Sequence, residues 1–248
     1  PVLFAKQVST LDALSGGRLL LGIGVGPNRH ASEADTTKLG RHRTNLEKEY
    51  DIFGAVGPRG RRLEEYLQAA IAIWTEDRPS FHGEFVDFEE IDIFPKPVQK
   101  PYPPILIGGR SPEAKRRAAI LGDGWNPSQI ASTEIPPALE EIRAIRRAAG
   151  RDEELRFVGV NLHSIIASTD DEAEALVVPT IGHMFSDIAE LRRRTLIGTI
   201  ETFAQRALEY QAAGVNFIEL KPVYRSVDHL VEQMRMIHEE VMPRMADD

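Results

Sequence analysis

The stretch Gly108-Gly109-Arg110-Ser111-Pro112-Glu113 has the composition of an anion-binding turn. It follows an apolar run, residues 104–107, that predicts a short buried strand. Ser111 is a favourable N-cap, and Pro112 and Glu113 suit the first turn of a helix. A glycine turn before a helix N-terminus leaves backbone N–H groups free for a phosphate, because no Cβ blocks its approach. The alternative is an ordinary strand-to-helix turn in which the glycines only permit the bend.

Candidates for acid/base chemistry are few. The chain contains seven histidines, and His30 is the candidate because it lies in a loop after a predicted strand. The alternative is an exposed loop histidine, so the sequence leaves the catalytic acid or base unassigned. His163 lies in a strand-like run and fits a core or rim position. No spacing indicates a metal site, a Gly-x-Ser-x-Gly elbow or a Walker-type loop.

Strand-like and helix-like segments alternate along the chain, which predicts a parallel sheet with helices outside it. The five predicted strands are residues 19–25, 104–107, 124–126, 155–166 and 215–220. An open doubly wound sheet accommodates five strands, whereas a complete (β/α)8 barrel needs eight. We expect a single domain over residues 1–248 with insertions at about 27–62 and 76–103, the second containing extended structure near residues 80–95.

Composition excludes several classes of protein. The 248 residues include 30 basic and 38 acidic side chains, for a net charge of −8, and this acidic balance argues against a nucleic-acid partner. No long apolar run is present, so we expect a soluble protein without a membrane partner. The absence of cysteine excludes disulfides, thiolate zinc sites and a cysteine nucleophile, and it fits a cytoplasmic location.

Several segments carry a family pattern in a consistent order. They are PVLFAKQ (1–7), LDALSGGRL (11–19), LGIGVG (21–26), FPKPVQKP (94–101), GG (108–109), GDGW (122–125) and GT (198–199). Together they resemble the bacterial luciferase-like monooxygenase family, specifically its actinobacterial branch that depends on the deazaflavin coenzyme F420. The similarity is spread over the whole chain.

The resemblance implies a TIM-like (β/α)8 barrel, here an α/β partial barrel of about five parallel strands. Pro1 would lie in the helix after the third strand, so that the first three βα units are absent from this sequence. The implied activity is hydride transfer between coenzyme F420 and a small organic substrate. One alternative is an FMN-dependent monooxygenase that uses O2 and a separate flavin reductase. Another is a non-catalytic or truncated flavin-binding paralogue. A homodimer or another homo-oligomer is expected.

The resemblance also implies the cofactor-binding residues. In the family the cofactor phosphate lies at the turn after the fifth strand, which corresponds here to Gly108, Gly109, Arg110 and Ser111. The region after the fourth strand lines the flavin ring or its side chain, and Trp125 and Asn126 would flank the phosphate or the ribityl chain. The residues after the fourth strand are Gly24, Gly26 and Asn28. For the glycines the alternative is a packing role, and for Trp125 it is a place in the core.

Overall fold

The computed structural model describes residues 1–26, 52 and 57–245. Their internal contacts form two compact units, Pro1–Leu106 and Ile107–Asp248. Most of the predicted insertion at 27–62, including Asn28 and His30, lies outside the described residues. The single domain over residues 1–248 therefore stays a prediction, and the two units are considered separately below.

The first unit contains two helices, a strand and a two-stranded hairpin. Its elements are α1 (Val2–Ser15), β1 (Leu21–Ile23), α2 (Arg59–Thr75), β2 (Phe81–His82) and β3 (Asp87–Phe88). The strand β4 (Ile105–Ile107) spans the boundary between the units. The helix α1 contacts α2 through Trp74, whose indole N–H donates to the Ala5 carbonyl at 3.0 Å. Within this unit, therefore, a buried aromatic side chain joins the two helices.

A buried carboxylate joins α1 to the proline-rich segment that precedes β4. Asp12 is fully buried, and it accepts hydrogen bonds from the backbone N–H of Gln99 at 2.9 Å and from its side-chain amide at 2.8 Å. The same Gln99 amide donates to the Leu19 carbonyl at 2.8 Å. A further bond, from the Leu21 N–H to the Pro104 carbonyl at 2.9 Å, places β1 beside the start of β4. These bonds explain why Asp12 and Gln99 are polar within otherwise apolar surroundings.

The hairpin β2–β3 confirms the extended excursion predicted near residues 80–95. Its strands are antiparallel, with Phe81 opposite Phe88. Glu65 of α2 holds its turn, since the carboxylate accepts N–H groups from three successive turn residues, Glu84 at 3.1 Å, Phe85 at 2.6 Å and Val86 at 2.7 Å. Converging N–H groups of this kind make a concave anion site, which an internal carboxylate fills here.

The second unit alternates strands and helices. Its elements are α3 (Pro112–Leu121), β5 (Gly124–Trp125), α4 (Ile135–Ala148), β6 (Phe157–Ile166), α5 (Asp170–Ile181), α6 (Ile188–Arg193), β7 (Leu196–Gly198), α7 (Ile200–Ala212), β8 (Phe217–Pro222), α8 (Val227–Met236), a π-helical turn (Ile237–Val241) and α9 (Met242–Met245). Short 3-10 turns precede α4 (Ser132–Glu134) and follow α5 (Gly182–Met184).

The long strand β6 organises the sheet of this unit. The strands β5 and β7 pair with it in parallel, and so does β8. Ser164 pairs with both Leu196 of β7 and Pro222 of β8, so these two strands lie on opposite edges of β6. The connection after β5 is also attached to β6 through the backbone of Asn161. Its N–H donates to the Pro127 carbonyl at 2.9 Å, and its carbonyl accepts from the Gln129 N–H at 3.0 Å.

All five predicted strands are present in the described residues, and the sequence analysis missed one further strand, β7. Its three residues, Leu196 to Gly198, are too few to show a strand periodicity. Thr199 follows β7 directly and is the N-cap of α7, since its side chain accepts from the Thr202 N–H at 3.2 Å.

The Glu65 contact predicts how the hairpin responds to mutation. Glu65→Gln keeps the side-chain size but removes the negative charge, so the bonds from Phe85 and Val86 weaken. We expect amide hydrogen exchange at these two residues to accelerate by about tenfold, because bonds to a charged acceptor are the stronger kind. The control Glu84→Gln removes only an exposed partner of Arg61 and should leave exchange unchanged. Parent-like exchange in Glu65→Gln would show that the carboxylate does not hold the turn.

Candidate functional site

The turn after β4 leads directly into a capped helix, as the sequence predicts. Ser111 has an extended backbone, and its hydroxyl accepts the Ala114 N–H at 3.2 Å, which makes it the N-cap of α3. Pro112 occupies the first helical position and Glu113 the first turn. The positive end of the helix dipole therefore begins at the end of the glycine turn.

Gly109 adopts a conformation that other residues rarely accept. Its φ is +105°, and a Cβ at this position would lie 2.9 Å from the Ala114 Cβ. Its carbonyl accepts the indole N–H of Trp125 at 2.9 Å. The Trp125 ring is 0% exposed, so it contacts the turn from the core and fixes the position of the Gly109 carbonyl.

The backbone N–H groups of the turn, unlike this carbonyl, have no partner among the described residues. Among the described residues, no acceptor takes the backbone N–H of Gly109, Arg110 or Ser111. Three successive N–H groups ahead of a helix N-terminus make a concave site suited to an oxyanion. A side chain at position 109 would crowd this concavity, which is why glycine suits the position.

Arg110 connects the turn to the loop after β5. Its guanidinium donates to the Gln129 carbonyl at 2.6 Å, and Gln129 itself has a positive φ of 52°. Burial, followed by the nearby charge of Arg194, lowers the pKa of Arg110, although an arginine stays charged at neutral pH. Arg194 is paired with Glu134 and with Glu190, each at 3.1 Å. An exposed positive charge therefore lies beside the turn.

Two carboxylates, Glu113 of α3 and Glu141 of α4, offset positive charge near the turn. A hydrogen bond from the Ser111 hydroxyl is the largest cause that lowers the pKa of Glu113, so this exposed carboxyl is anionic in the first turn of the helix. Lys115 is paired with Glu141 of α4. Arg110, in contrast, points toward the loop after β5, where it donates to the Gln129 carbonyl.

Asn126 lies at the end of β5 and belongs to a row of polar side chains on one face of the sheet. Its side-chain amide donates to the Glu219 carboxylate of β8 at 3.0 Å. A Cβ on Gly159 of β6 would lie 2.7 Å from the Asn126 Oδ1 and 2.9 Å from the Phe217 ring. Gly159, Asn126 and Phe217 therefore face the same side, and glycine makes room for the amide.

Alternation along the strands extends this row. On β6 the residues Asn161 and His163 share the face of Gly159, and on β8 Glu219 and Lys221 share the face of Phe217. The parallel register pairs Asn161 with Glu219 and His163 with Lys221. This row was not predicted. Polar residues at alternate positions of each strand can be read from the sequence, but their meeting depends on the pairing of β6 with β8.

His163 is held in its neutral form. Burial is the largest cause that lowers its pKa, and the charge of Lys221 lowers it further, while a hydrogen bond with the Lys221 backbone acts in the opposite direction. The ring is half-buried, whereas Lys221 is exposed. A neutral imidazole beside an ammonium group offers hydrogen bonds and positive charge to an oxygen-bearing ligand.

The other residues predicted to bind the cofactor belong to the first unit or fall outside the described residues. Gly24 and Gly26 belong to the first unit, where a Cβ on Gly24 would meet no heavy atom within 4 Å and Gly26 has a φ of 73°. Asn28 and His30 are outside the described residues. The structure therefore brings together Gly108 to Ser111, Trp125 and Asn126 within the second unit.

Two further findings concern the described part of the chain. None of its helices has both the length and the apolar character needed to cross a membrane. Its histidine and carboxylate side chains form no group of three with the arrangement of a metal site.

A comparison with protein families decides the relationship of the chain. The family model for luciferase-like monooxygenases matches residues 1–213. The chain belongs to the luciferase-like monooxygenase family. This finding confirms the resemblance drawn from the short segments of the sequence.

Curated members of the family include flavin-dependent enzymes. One relative, the FMNH2-dependent dimethylsulfone monooxygenase of Pseudomonas putida, is 28% identical over 251 residues, which cover 88% of this chain and 64% of that protein. An uncharacterised protein of Mycobacterium tuberculosis is 33% identical over 168 residues, or 66% of this chain and 52% of that protein. The chain thus spans between about half and two thirds of the length of these relatives.

Solved structures share the fold. An F420-dependent secondary alcohol dehydrogenase, in complex with an F420-acetone adduct, aligns with a TM-score of 0.77 and 16% identity over 100% of this chain and 76% of its own. The oxygenating constituent of 3,6-diketocamphane monooxygenase from Pseudomonas putida, in complex with FMN, aligns with a TM-score of 0.69 and 18% identity. The alignment covers 97% of this chain and 75% of that protein. The chain has the α/β fold of the luciferase-like barrels.

The environment of His163 predicts a pH dependence. Its pKa in the folded protein lies below its usual value of 6.5, so the unfolded chain binds the proton more readily. The free energy of unfolding should therefore fall as the pH decreases from about 6.5. In an NMR titration the His163 pKa should lie below 6.5 and should rise in Lys221→Gln, but not in the control Lys115→Gln. A parent value at or above 6.5 would contradict this assignment.

Proposed function

We propose that the protein is an oxidoreductase that transfers hydride between coenzyme F420 and a small organic substrate. The observation that carries the proposal is the row of three backbone N–H groups, from Gly109 to Ser111, at the N-terminus of α3. These groups suit the phosphate of a flavin or deazaflavin. Coenzyme F420 is favoured over FMN by the resemblance to the deazaflavin-dependent branch. The fold does not separate the two cofactors, because it is shared with both an F420-dependent and an FMN-bound enzyme.

Three features of the turn support a phosphate at this place. Gly109 leaves space, the Trp125 indole fixes its carbonyl, and Ser111 begins the helix whose dipole favours negative charge. Arg110 adds a positive charge that would favour the acidic tail of the deazaflavin. When bound, the deazaflavin ring accepts or donates the hydride. The chain itself binds the phosphate, orients the cofactor and shapes the substrate pocket.

A second candidate function is an FMN-dependent monooxygenase that receives reduced flavin from a separate reductase. The specific observation in its favour is that two similar curated relatives, from Pseudomonas putida and Pseudomonas fluorescens, are FMNH2-dependent dimethylsulfone monooxygenases. Both cofactors carry a phosphate that the same turn would bind, so the turn does not separate them. In either case the protein is proposed to act as a homo-oligomer on a small molecule.

Titration of the protein with both cofactors tests the choice between them. We expect coenzyme F420 to bind more tightly than FMN, measured by fluorescence of each cofactor at the same ionic strength. Equal ionic strength matters because contacts with anionic groups weaken with salt. Tighter binding of FMN would favour the monooxygenase. Failure of both to bind would favour the non-catalytic paralogue and contradict the proposed function.

Gly109→Ala should weaken cofactor binding. The added Cβ meets the Ala114 Cβ and disfavours the φ of +105°, so the N–H groups of the turn lose their arrangement. The loss of two bonds to a charged phosphate would weaken binding by about 10²- to 10⁴-fold. The matched control is Gly150→Ala, which also alters a positive-φ glycine, with φ +72°, but meets no heavy atom within 4 Å.

Both variants should be checked for folding by circular dichroism before the cofactor affinities are compared. Gly150→Ala should bind the cofactor as tightly as the parent, because it carries backbone strain without a change at the turn. If a folded Gly109→Ala protein also binds like the parent, the phosphate is held elsewhere.

A further inference from the structure

The polar row on β5, β6 and β8 contains acceptors that nothing in the described residues satisfies. Asn161 is only 6% exposed, and its Oδ1 has no hydrogen-bond partner there. The Oδ1 of Asn126 is also buried without a partner. The orientation of the Asn126 amide is determined, because its nitrogen must face the Glu219 carboxylate at 3.0 Å. Buried acceptors of this kind are costly unless a donor reaches them.

One end of the row therefore calls for a hydrogen-bond donor. The unpaired oxygens of Asn126 and Asn161 and the exposed carboxylate of Glu219 lie on the same face of neighbouring strands. All three groups accept hydrogen bonds at these atoms. A hydroxyl or an ammonium group satisfies such a set, whereas an anion would be repelled by Glu219.

The other end of the row has the opposite character. His163 and Lys221 are paired in the register of β6 and β8, one rung of the face beyond Asn161 and Glu219. Lys221 is exposed, and its ammonium group has no carboxylate partner in the part of the chain that the structure describes. An ammonium group beside an imidazole N–H suits a carboxylate or another small oxyanion.

The spacing of the two ends limits the size of the ligand. Side chains two residues apart on one strand are separated by about 6.6 Å. A ligand that contacts side chains at both ends therefore carries its donor and its oxyanion only a few bonds apart. The row begins at Asn126, directly after Trp125, so the end that accepts hydrogen bonds is the one next to the turn that Trp125 holds.

We propose that this face binds a small carboxylate with a hydroxyl or an ammonium group on the neighbouring carbon. Its carboxylate contacts Lys221 and His163, and its donor group contacts Asn161 and Glu219. The inference rests on the proposed function, because it assigns the polar end of the substrate to the same unit as the phosphate turn. It adds the chemical class of the substrate and four residues that select it.

The test uses lactate, alanine and acetate as probes of the purified protein. Lactate supplies a hydroxyl and a carboxylate, alanine an ammonium group and a carboxylate, and acetate a carboxylate alone. The readout is the NMR signal of the His163 ring, followed as each probe is added. We expect lactate or alanine to shift this signal at lower concentration than acetate and to raise the His163 pKa, because a bound anion favours the imidazolium.

Variants assign the two ends of the ligand. Lys221→Gln should weaken binding of the preferred probe by about tenfold, whereas Lys115→Gln, with the same change of charge at a side chain paired with Glu141, should not. Lys221→Arg should retain part of the affinity. Glu219→Gln should remove the preference over acetate without abolishing carboxylate binding. Circular dichroism establishes that each variant is folded.

Two results would overturn the inference. One is that no probe shifts the His163 signal, and the other is that Lys221→Gln and Lys115→Gln bind the probes equally well. The cofactor titration distinguishes these results from a failure of the proposed function. A protein that binds coenzyme F420 but none of the probes keeps its proposed function and loses this substrate site. A protein that binds lactate or alanine but neither cofactor keeps the carboxylate site and loses the proposed function.

Discussion

The hydrogen bond from the Trp125 indole to the Gly109 carbonyl is the contact on which the candidate site depends. It joins the end of β5 to the turn after β4, and it is made by a side chain with no exposure to solvent. The Gly109 carbonyl and the Arg110 N–H belong to one trans peptide group, so the bond to Trp125 turns this N–H away from the indole. The N–H groups of Gly109 and Ser111 also have no acceptor among the described residues. A buried aromatic residue thus determines the direction in which an exposed anion site faces.

The same element positions the polar row. Asn126 follows Trp125 immediately, and its amide reaches Glu219 across the face that Gly159 leaves open. The second unit therefore combines a site for an oxyanion at the turn with donors and acceptors on the adjoining strands. The charges of the row are balanced, since Glu219 is negative, Lys221 is positive and His163 is kept neutral by burial and by Lys221. A ligand with both a donor and an anionic group complements this arrangement.

Much of this arrangement is local in the sequence and was predictable from it. The capped helix at Ser111, the five strands and the excursion near residue 80 follow from short-range signals that the structure confirms. The family is confirmed as well, because short ordered segments carry its pattern. The strand β7 was missed because three residues carry no periodicity. The row of Asn161, His163, Glu219 and Lys221 was missed because its members come together only through the pairing of β6 with β8. The residues of the two strands are more than 50 positions apart in the chain. The hydrogen bond between Trp125 and Gly109 likewise depends on how the ends of two strands pack together, which no local pattern in the sequence specifies.

The most direct test of the account is the response of individual backbone amides to phosphate. Inorganic phosphate, and then the cofactor, would be added to the labelled protein while amide signals are followed by NMR. We expect the N–H signals of Gly109, Arg110 and Ser111 to shift together and to saturate at the same concentration, while that of Gly150 does not move. If the signals of these three amides do not move, and those of another group of residues shift and saturate instead, the phosphate does not bind at this turn.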